Sequence, residues 1–304
     1  MYDKKIIFGF GTRPVTDVIG RQFVSHLDHS VWFDGRKYVG QLEKTMWPGF
    51  RQDAWLKERN PIVVTGILRG TEELIKLAEQ KKINYYYFDH AYFFRADEHR
   101  NNPLTNNRSY RLCINSQHLN YISELDNHTK HRKEVVKNLL SKFRLNPEPW
   151  HLGTKGYILL IPPSQFVCNF YNLISPNVWI RQMRKKLFNV TDRPIVIRTK
   201  GESISLSQQL KEAYCVVSFQ STVAIEAVLS GTPSFCDPIS SAAPVSKTNI
   251  DEINSPYYPD DFKRRQWRDS LLYNQFTIDE IKMGIAKDTV DRLQKRNWIN
   301  DNNA

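Results

Sequence analysis

Several signatures that would assign a reaction outright are missing from the 304 residues. There is no GxGxxG turn, no GxxxxGK[ST] phosphate loop and no GxSxG elbow, so dehydrogenase, P-loop kinase and hydrolase chemistry lose their usual carriers. No apolar run approaches the roughly 18 residues of a membrane span. The short apolar stretch in "MYDKKIIFGFGTRP" is too brief for the core of a secretory signal. A cytoplasmic location is therefore expected, with any membrane contact peripheral. The four cysteines, Cys113, Cys168, Cys215 and Cys236, show neither CxxC nor Cys/His ligand spacing. Reduced thiols and no bound metal are the expectation. There is also no internal sequence repeat and no low-complexity tract.

What is present points to folded domains and a charged partner. The length exceeds one ordinary core, and hydrophobic and aromatic contents of 40% and 12% suffice for two. Net charge is +11, from 43 basic and 32 acidic residues. Such an excess favours a polyanion: nucleic acid, an anionic membrane surface or a phosphorylated substrate. An ordinary soluble protein that happens to be basic is the plainer alternative.

Strand and helix signals alternate along the chain. Strands are expected at "KIIFGF" (5–10), "SVWFDG" (30–35), "PIVVTG" (61–66) and "INYYYFDHAYF" (83–93), with helices over 15–27 and 71–82. Residues 95–127 read as a long polar loop, and 127–145 as a basic helix ended by "NPEPW". The alternation then restarts with strands at "GYILLIPPS", "PIVIRTKG" and "YCVVSF", helices at "NVWIRQMRKKLF" and "SLSQQLKEA", and a helical tail from 259. The pattern predicts parallel βαβ units and two α/β domains in series, 1–148 and 149–304.

The stretch with most chemistry is "VVSFQSTVAIEAVLSGTPSFCD" (216–237): strand, Ser/Gln/Thr elbow, apolar helix, glycine stop, strand. Ligands of open parallel sheets sit beyond the carboxyl ends of strands, where helix N-termini attract phosphate. Ser218, Gln220, Ser221 and Thr222 place hydroxyl and amide groups there. Glu226 lies one turn after Thr222 on the same face, suited to a ribose diol. Its alternative is a structural ion pair, with Arg198 the candidate partner.

The segment "LSQQLKEAYCVVSFQSTVAIEAVLSGTPSFCD" resembles the nucleotide-sugar-binding segment of GT-B glycosyltransferases, above all the capsule-type Kdo and sialic-acid transferases and phage-encoded relatives. Their pattern is a strand, a Ser/Thr elbow, "xxEAxxxGxP" and a strand, which Gly231 and Pro233 also fit. The resemblance implies two Rossmann-like domains facing across a cleft, phosphate contact by Ser221 and Thr222, and ribose contact by Glu226. "FGFGTRP" is similar to the opening of UDP-N-acetylglucosamine 2-epimerases, although Val15 stands where those carry Glu.

The remaining candidates follow from residue chemistry. Gly9 and Gly11 permit a tight turn, and Arg13 is placed to reach a phosphate. Arg198 and Lys200, on alternate positions of "PIVIRTKG", join Ser164 as a phosphate pocket. A sugar-accepting hydroxyl must lose a proton, so Asp89 and His90 in "YYYFDHAYFFR" are the candidate bases. Being adjacent on a strand, they point to opposite faces. Tyr92 and Arg95 follow them, and Arg111, Asn115 and His118 are further acceptor-binding candidates; a solvated loop is the alternative. Basic clusters at 130–144, 181–186 and 263–268, the last with Trp267, together fit a groove for a polyanion. There is no DxD-like pair after a strand, since Asp260-Asp261 lies in a Pro/Tyr stretch.

These features give a metal-independent glycosyltransferase that needs no cofactor beyond a nucleotide-sugar co-substrate. Charge favours double-stranded DNA carrying a hydroxymethylated pyrimidine as acceptor, with attack on a flipped base. A capsule or lipopolysaccharide glycan is the rival acceptor. A non-catalytic nucleotide- or nucleic-acid-binding protein and a sugar-nucleotide epimerase are the other readings.

Overall fold

A computed structural model describes residues 7–11, 14–25, 30–34, 50–67, 70–93, 109–123, 128–142, 145–151 and 156–299. The chain forms two Rossmann-like α/β units, one of residues 1–117 with 273–304, the other of residues 118–272. The division falls at 117/118 and 272/273 rather than at 148/149.

The first unit is a six-stranded sheet in the order β10-β5-β4-β3-β1-β2. Four of its strands are parallel: β1 (Ile7–Gly11), β2 (Ser30–Asp34), β3 (Ile62–Thr65) and β4 (Tyr85–His90). α1 (Pro14–Val24), α2 (Gln52–Glu58) and α3 (Thr71–Gln80) lie among them in sequence. Gly9 is not a turn residue. It sits inside β1 opposite Trp32, and a Cβ there would fall 2.2 Å from the Trp32 ring. The glycine makes room for the indole of the adjacent strand.

Two elements of this unit break the expected pattern. β5 (Ser109–Ile114) runs antiparallel to β4 inside the region read as loop. β10 (Gln275–Thr277) then pairs antiparallel with β5, so the tail is not wholly helical. Ile278 and Ile281 of α10 (Ile278–Lys282) and Ala286 and Val290 of α11 (Ile285–Leu293) enter one core with Phe23, Val63, Tyr86 and Phe88. That burial is why the tail belongs to the first unit.

β10 covers only half of β5, and side chains finish the edge. Gln294 accepts from Ile114 N at 2.9 Å and donates to Leu112 O at 3.0 Å, while Asn297 donates to Ile114 O at 3.2 Å. A buried strand edge must have its backbone groups satisfied, and here two amides act as a surrogate strand.

The second unit is a wholly parallel sheet in the order β7-β6-β8-β9. The strands are β6 (Tyr157–Ile161), β7 (Ile195–Ile197), β8 (Ala213–Ser218) and β9 (Ser234–Phe235). Trp179 and Leu187 of α6 (Pro176–Phe188) pack one face, against Ile158, Leu160, Cys215 and Val217. Leu210 of α7 (Leu206–Glu212) and Ala227 of α8 (Val223–Leu229) pack the other, against Leu159, Ile161 and Val216. α4 (Lys130–Lys142), α5 (Gln165–Tyr171) and α9 (Asp261–Tyr273) complete the unit. After α8 the chain turns at Gly231, where φ is +78° and a Cβ would lie 2.0 Å from Pro149 O. Only glycine fits that turn.

The parallel strands of the first unit read β2-β1-β3-β4, which is the topology of β7-β6-β8-β9 without any sequence repeat to announce it. No described helix is long and apolar enough to cross a membrane.

Gln294→Ala is expected to cost about 3 kcal/mol, because it strands a buried N–H and a buried carbonyl. Chemical denaturation measures this, and a loss below about 0.5 kcal/mol means the edge is served some other way.

Candidate functional site

In the second unit, β6 leads into α5 and α6 with α6 on one face, whereas β8 leads into α8 on the other. A crevice opens where neighbouring connections diverge in this way, outside the carboxyl ends of the strands. The two loops that border it are 162–164 after β6 and 219–222 after β8.

Ser218 closes β8 and, by strand alternation, shares the face of Val216 under α7 and α8. It is 4% exposed, and its Oγ has no hydrogen-bond partner among the described residues. A buried hydroxyl without a partner is costly unless something else supplies one. The following residues add further polar groups. Ser221 Oγ accepts from Val223 N at 3.2 Å, but the N-cap Thr222 makes no side-chain cap bond. Gln220 is held from outside the elbow: Tyr171 Oη donates to its Oε1 at 3.3 Å, and the Tyr171 ring packs edge-on against Phe219 at 5.1 Å.

Glu226 follows one turn later, and its N–H donates to Thr222 O at 3.2 Å. Its side chain is exposed, on the solvent side of a helix whose Ala224, Ile225, Ala227 and Val228 are buried. It is therefore not a charge inside an apolar environment. Arg198 is engaged elsewhere, donating to Ile204 O at 2.8 Å and to Gln209, with Glu202 at 3.8 Å.

β7 ends at Ile197, so Arg198 and Lys200 lie in the following turn and do not share a strand face as expected. Lys200 is exposed at that same carboxyl edge. Ser164 is the N-cap of α5 and accepts from Val167 N at 3.3 Å. The topology thus gathers Ser164, Lys200, Ser221, Thr222 and Glu226 at one edge of one sheet. An open depression lined by Tyr157, Thr191, Arg193 and Asn254 lies instead at the amino edge, where β6 and β7 begin.

The first unit uses its expected site residues differently. Arg111, 6% exposed, donates to Asp89 Oδ2 at 2.8 Å, to His90 O at 2.9 Å and to Gln117 O at 3.0 Å. Its guanidinium also lies over the rings of Tyr87 and Tyr92. Asp89 further accepts from Tyr87 Oη at 2.8 Å and from His90 N at 2.7 Å. Burial pushes the Asp89 carboxyl up, but the Arg111 charge, His90 and these hydrogen bonds outweigh it and hold it below its usual value. Tyr92 is 4% exposed and contacts Cys113 Sγ at 3.7 Å. His90, by contrast, is exposed.

The acceptor roles expected for Arg111, Tyr92 and Asn115 are not supported, because the fold consumes their polar groups. Asn115, at φ +52°, accepts from Tyr85 N at 2.7 Å and donates to Asn84 and Asn297, at the amino end of β4. His118 belongs to the second unit, where its buried Nδ1 lies 3.1 Å from Ser241 Oγ. Arg13 and Arg95 fall outside the described residues.

Two of the three basic clusters bury some of their arginines. Arg264 and Arg268 are 1% and 4% exposed, Trp267 is fully buried, and Arg264 stacks on Trp150 at 4.2 Å. Arg132 of α4 is buried as well, and Arg144 lies outside the described residues. Lys130, Lys133, Lys137 and Arg265 of these clusters remain exposed. The four cysteines are buried and unpaired, and burial pushes the Cys113 and Cys236 thiols up to about 11.

Sequence reasoning missed Tyr171 and undervalued Ser218. Tyr171 lies on a helix without a strong periodic signal, and the exceptional status of Ser218 depends on which hydroxyls find partners in three dimensions.

No protein-family model matches the chain, and no curated protein does. Among solved structures the chain is similar to the KpsC beta Kdo 2,7 transferase of Thermosulfurimonas dismutans, at 12% identity over 93% of this chain and 99% of that one, with a TM-score of 0.47. It is similar to the KpsC beta Kdo 2,4 transferase of the same organism at 11% identity, over 95% and 99%, with a TM-score of 0.49. The UDP-GlcNAc 2-epimerase of Methanocaldococcus jannaschii, in complex with UDP-GlcNAc and UDP, matches at 13% identity over 96% and 99%, with a TM-score of 0.27. These are distant likenesses and carry nothing about substrate or mechanism.

The Asp89–Arg111 pair generates a pH prediction. Because Asp89 titrates lower folded than unfolded, its stabilisation is complete well above 3.8 and is lost as the pH falls through the depressed folded value. Asp89→Asn is expected to be less stable by about 3 kcal/mol at pH 7, with the gap narrowing below about pH 4. A gap that stays constant across acid unfolding curves contradicts the pairing.

Proposed function

We propose that the second unit binds a nucleotide sugar outside the carboxyl ends of β6 and β8, and that the protein is a metal-independent glycosyltransferase. The observation that supports this most is the buried Ser218 hydroxyl without a partner at the crevice, next to the uncapped Thr222. A diphosphate placed there accepts from Ser218, Ser221 and Thr222 hydroxyls and from the Gln220 amide. Glu226, one turn on and exposed, is placed to accept from a ribose diol. Lys200 at the same edge offsets charge on the departing nucleoside diphosphate. The motif likeness to GT-B donor segments points to the same residues.

On the acceptor side, Asp89 is bound to Arg111 and held ionised, which makes it a weak proton acceptor. We therefore assign the base to the exposed His90 in place of Asp89. The acceptor class is open between hydroxymethylated DNA, motivated by total charge, and a lipid-linked glycan.

A thermal-shift screen of sugar nucleotides tests the donor site. A specific ligand at about 100 times its Kd adds roughly 2.7 kcal/mol, and no shift with any of them ends the proposal. Two variants localise the site. Ser218→Ala is expected to leave the ligand-free protein as stable or up to about 1 kcal/mol more so, since no hydrogen bond is lost, yet to weaken donor binding about tenfold. Glu226→Gln is expected to weaken donor binding more than it lowers stability. Loss of stability with unchanged binding makes either residue structural. His90→Gln should lower kcat with little change in donor KM, and unchanged kcat removes it as base. Transfer to hydroxymethylated DNA, or to a lipid-linked glycan with failure on DNA, decides the acceptor.

A further inference from the structure

α6 carries a stripe that the fold does not use. Asn177, Arg181, Arg184, Lys185 and Phe188 recur at three- and four-residue spacing and are exposed, and Ile174, just before the N-cap Ser175, is exposed as well. On a helix that spacing is one face. The opposite face, with Trp179, Met183 and Leu187, packs the sheet. From Asn177 to Phe188 the stripe is about 17 Å long at 1.5 Å per residue.

Its chemistry is unusual at both ends and in the middle. Ile174 is 71% exposed and Phe188 60% exposed, and Phe166, on the helix whose Gln165 donates to Ile174 O at 3.1 Å, is 58% exposed. Ile174 also has φ +64°, a conformation that β-branched residues rarely adopt. Between the apolar ends lie three cations, with Lys186 on the flank, and the helix contains no acidic residue. The three have no ion-pair partner among the described residues; Arg184 instead lies over the Phe188 ring at 5.5 Å. The other basic clusters bury Arg132, Arg264 and Arg268 but leave Lys130, Lys133, Lys137 and Arg265 exposed; their helices also carry acidic residues, which α6 does not.

We propose that this face of α6 docks on an anionic phospholipid surface, with Arg181, Arg184 and Lys185 against headgroups and Ile174 and Phe188 inserted at the headgroup–acyl boundary. Cations flanked by exposed large apolar side chains are what an interfacial helix requires. Nucleic acid would also match the cations, but it offers no apolar phase for an aliphatic side chain such as Ile174. The inference does not depend on the donor-site reading.

Sedimentation of the full chain with vesicles of phosphatidylcholine, with and without phosphatidylglycerol, tests it. Binding is expected only with the anionic lipid and is expected to weaken with salt. Each cation removed should lower partitioning about fivefold, so R181Q/R184Q/K185Q lowers it about a hundredfold. I174S/F188S, which leaves the charge intact, should lower it at least about tenfold. Both variants alter exposed side chains, and unchanged unfolding curves verify that they fold. Equal binding to neutral vesicles, or unchanged binding by either variant, overturns the proposal. So does a duplex oligonucleotide that displaces the vesicles and itself depends on the same three cations.

Discussion

Strands β6 and β8 are hydrogen-bonded neighbours, yet their connections leave the sheet towards opposite faces, packed by Trp179 and Leu187 on one side and Leu210 and Ala227 on the other. This divergence is the constraint on which the functional reading depends. It keeps the loops after the two strands from packing on each other, and it brings polar residues distant in sequence to one edge. The burial of Ser218 beneath α8 follows from it, as does the exposure of Glu226 on the far side of the same short helix. An elbow that satisfied all its own hydroxyls would be a connection only. One that leaves a buried oxygen unsatisfied stores a cost that a ligand can relieve.

The first unit repeats the strand order and also the unsatisfied hydroxyl: Thr65, last residue of β3 and topological counterpart of Ser218, is 6% exposed with no partner for Oγ1 among the described residues. Two other polar clusters of this unit are taken up by the fold. Each nitrogen of the Arg111 guanidinium donates once, to Asp89, His90 or Gln117, and Gln294 and Asn297 seal the edge of β5. Such buried hydrogen-bonded networks rigidify a fold rather than leave groups for a substrate. The polar residues that looked most like an acceptor site are those that hold this antiparallel side together.

Most parallel strands and their helices were legible in the sequence because β-branched and aromatic runs alternate with amphipathic ones. β5 was not legible: "SYRLCI" is interrupted by Arg111, whose partner Asp89 lies 22 residues away, and its Ile114 N–H is received by Gln294, 180 residues away. The length of β7 was also misjudged, because nothing local says that the strand stops before Arg198. Of the candidate site, the elbow and Glu226 were readable from hydroxyls and a carboxylate at helical spacing. Exposure was not readable: the apolar neighbours of Glu226 imply a buried helix, and only the packing shows which side of it faces solvent. The basic clusters misled for the same reason, since Arg264 and Arg268 carry charge into the core, where carbonyls and carboxylates receive it.

The central claim is that the second unit binds a nucleotide sugar where the connections of β6 and β8 diverge. Amide hydrogen exchange of the full chain, with and without a saturating sugar nucleotide found in the screen, tests it most directly. The account predicts new protection at 162–167 and 218–226, with little change at 190–194 and 254. Protection at that amino-edge depression, with the elbow unchanged, would contradict it.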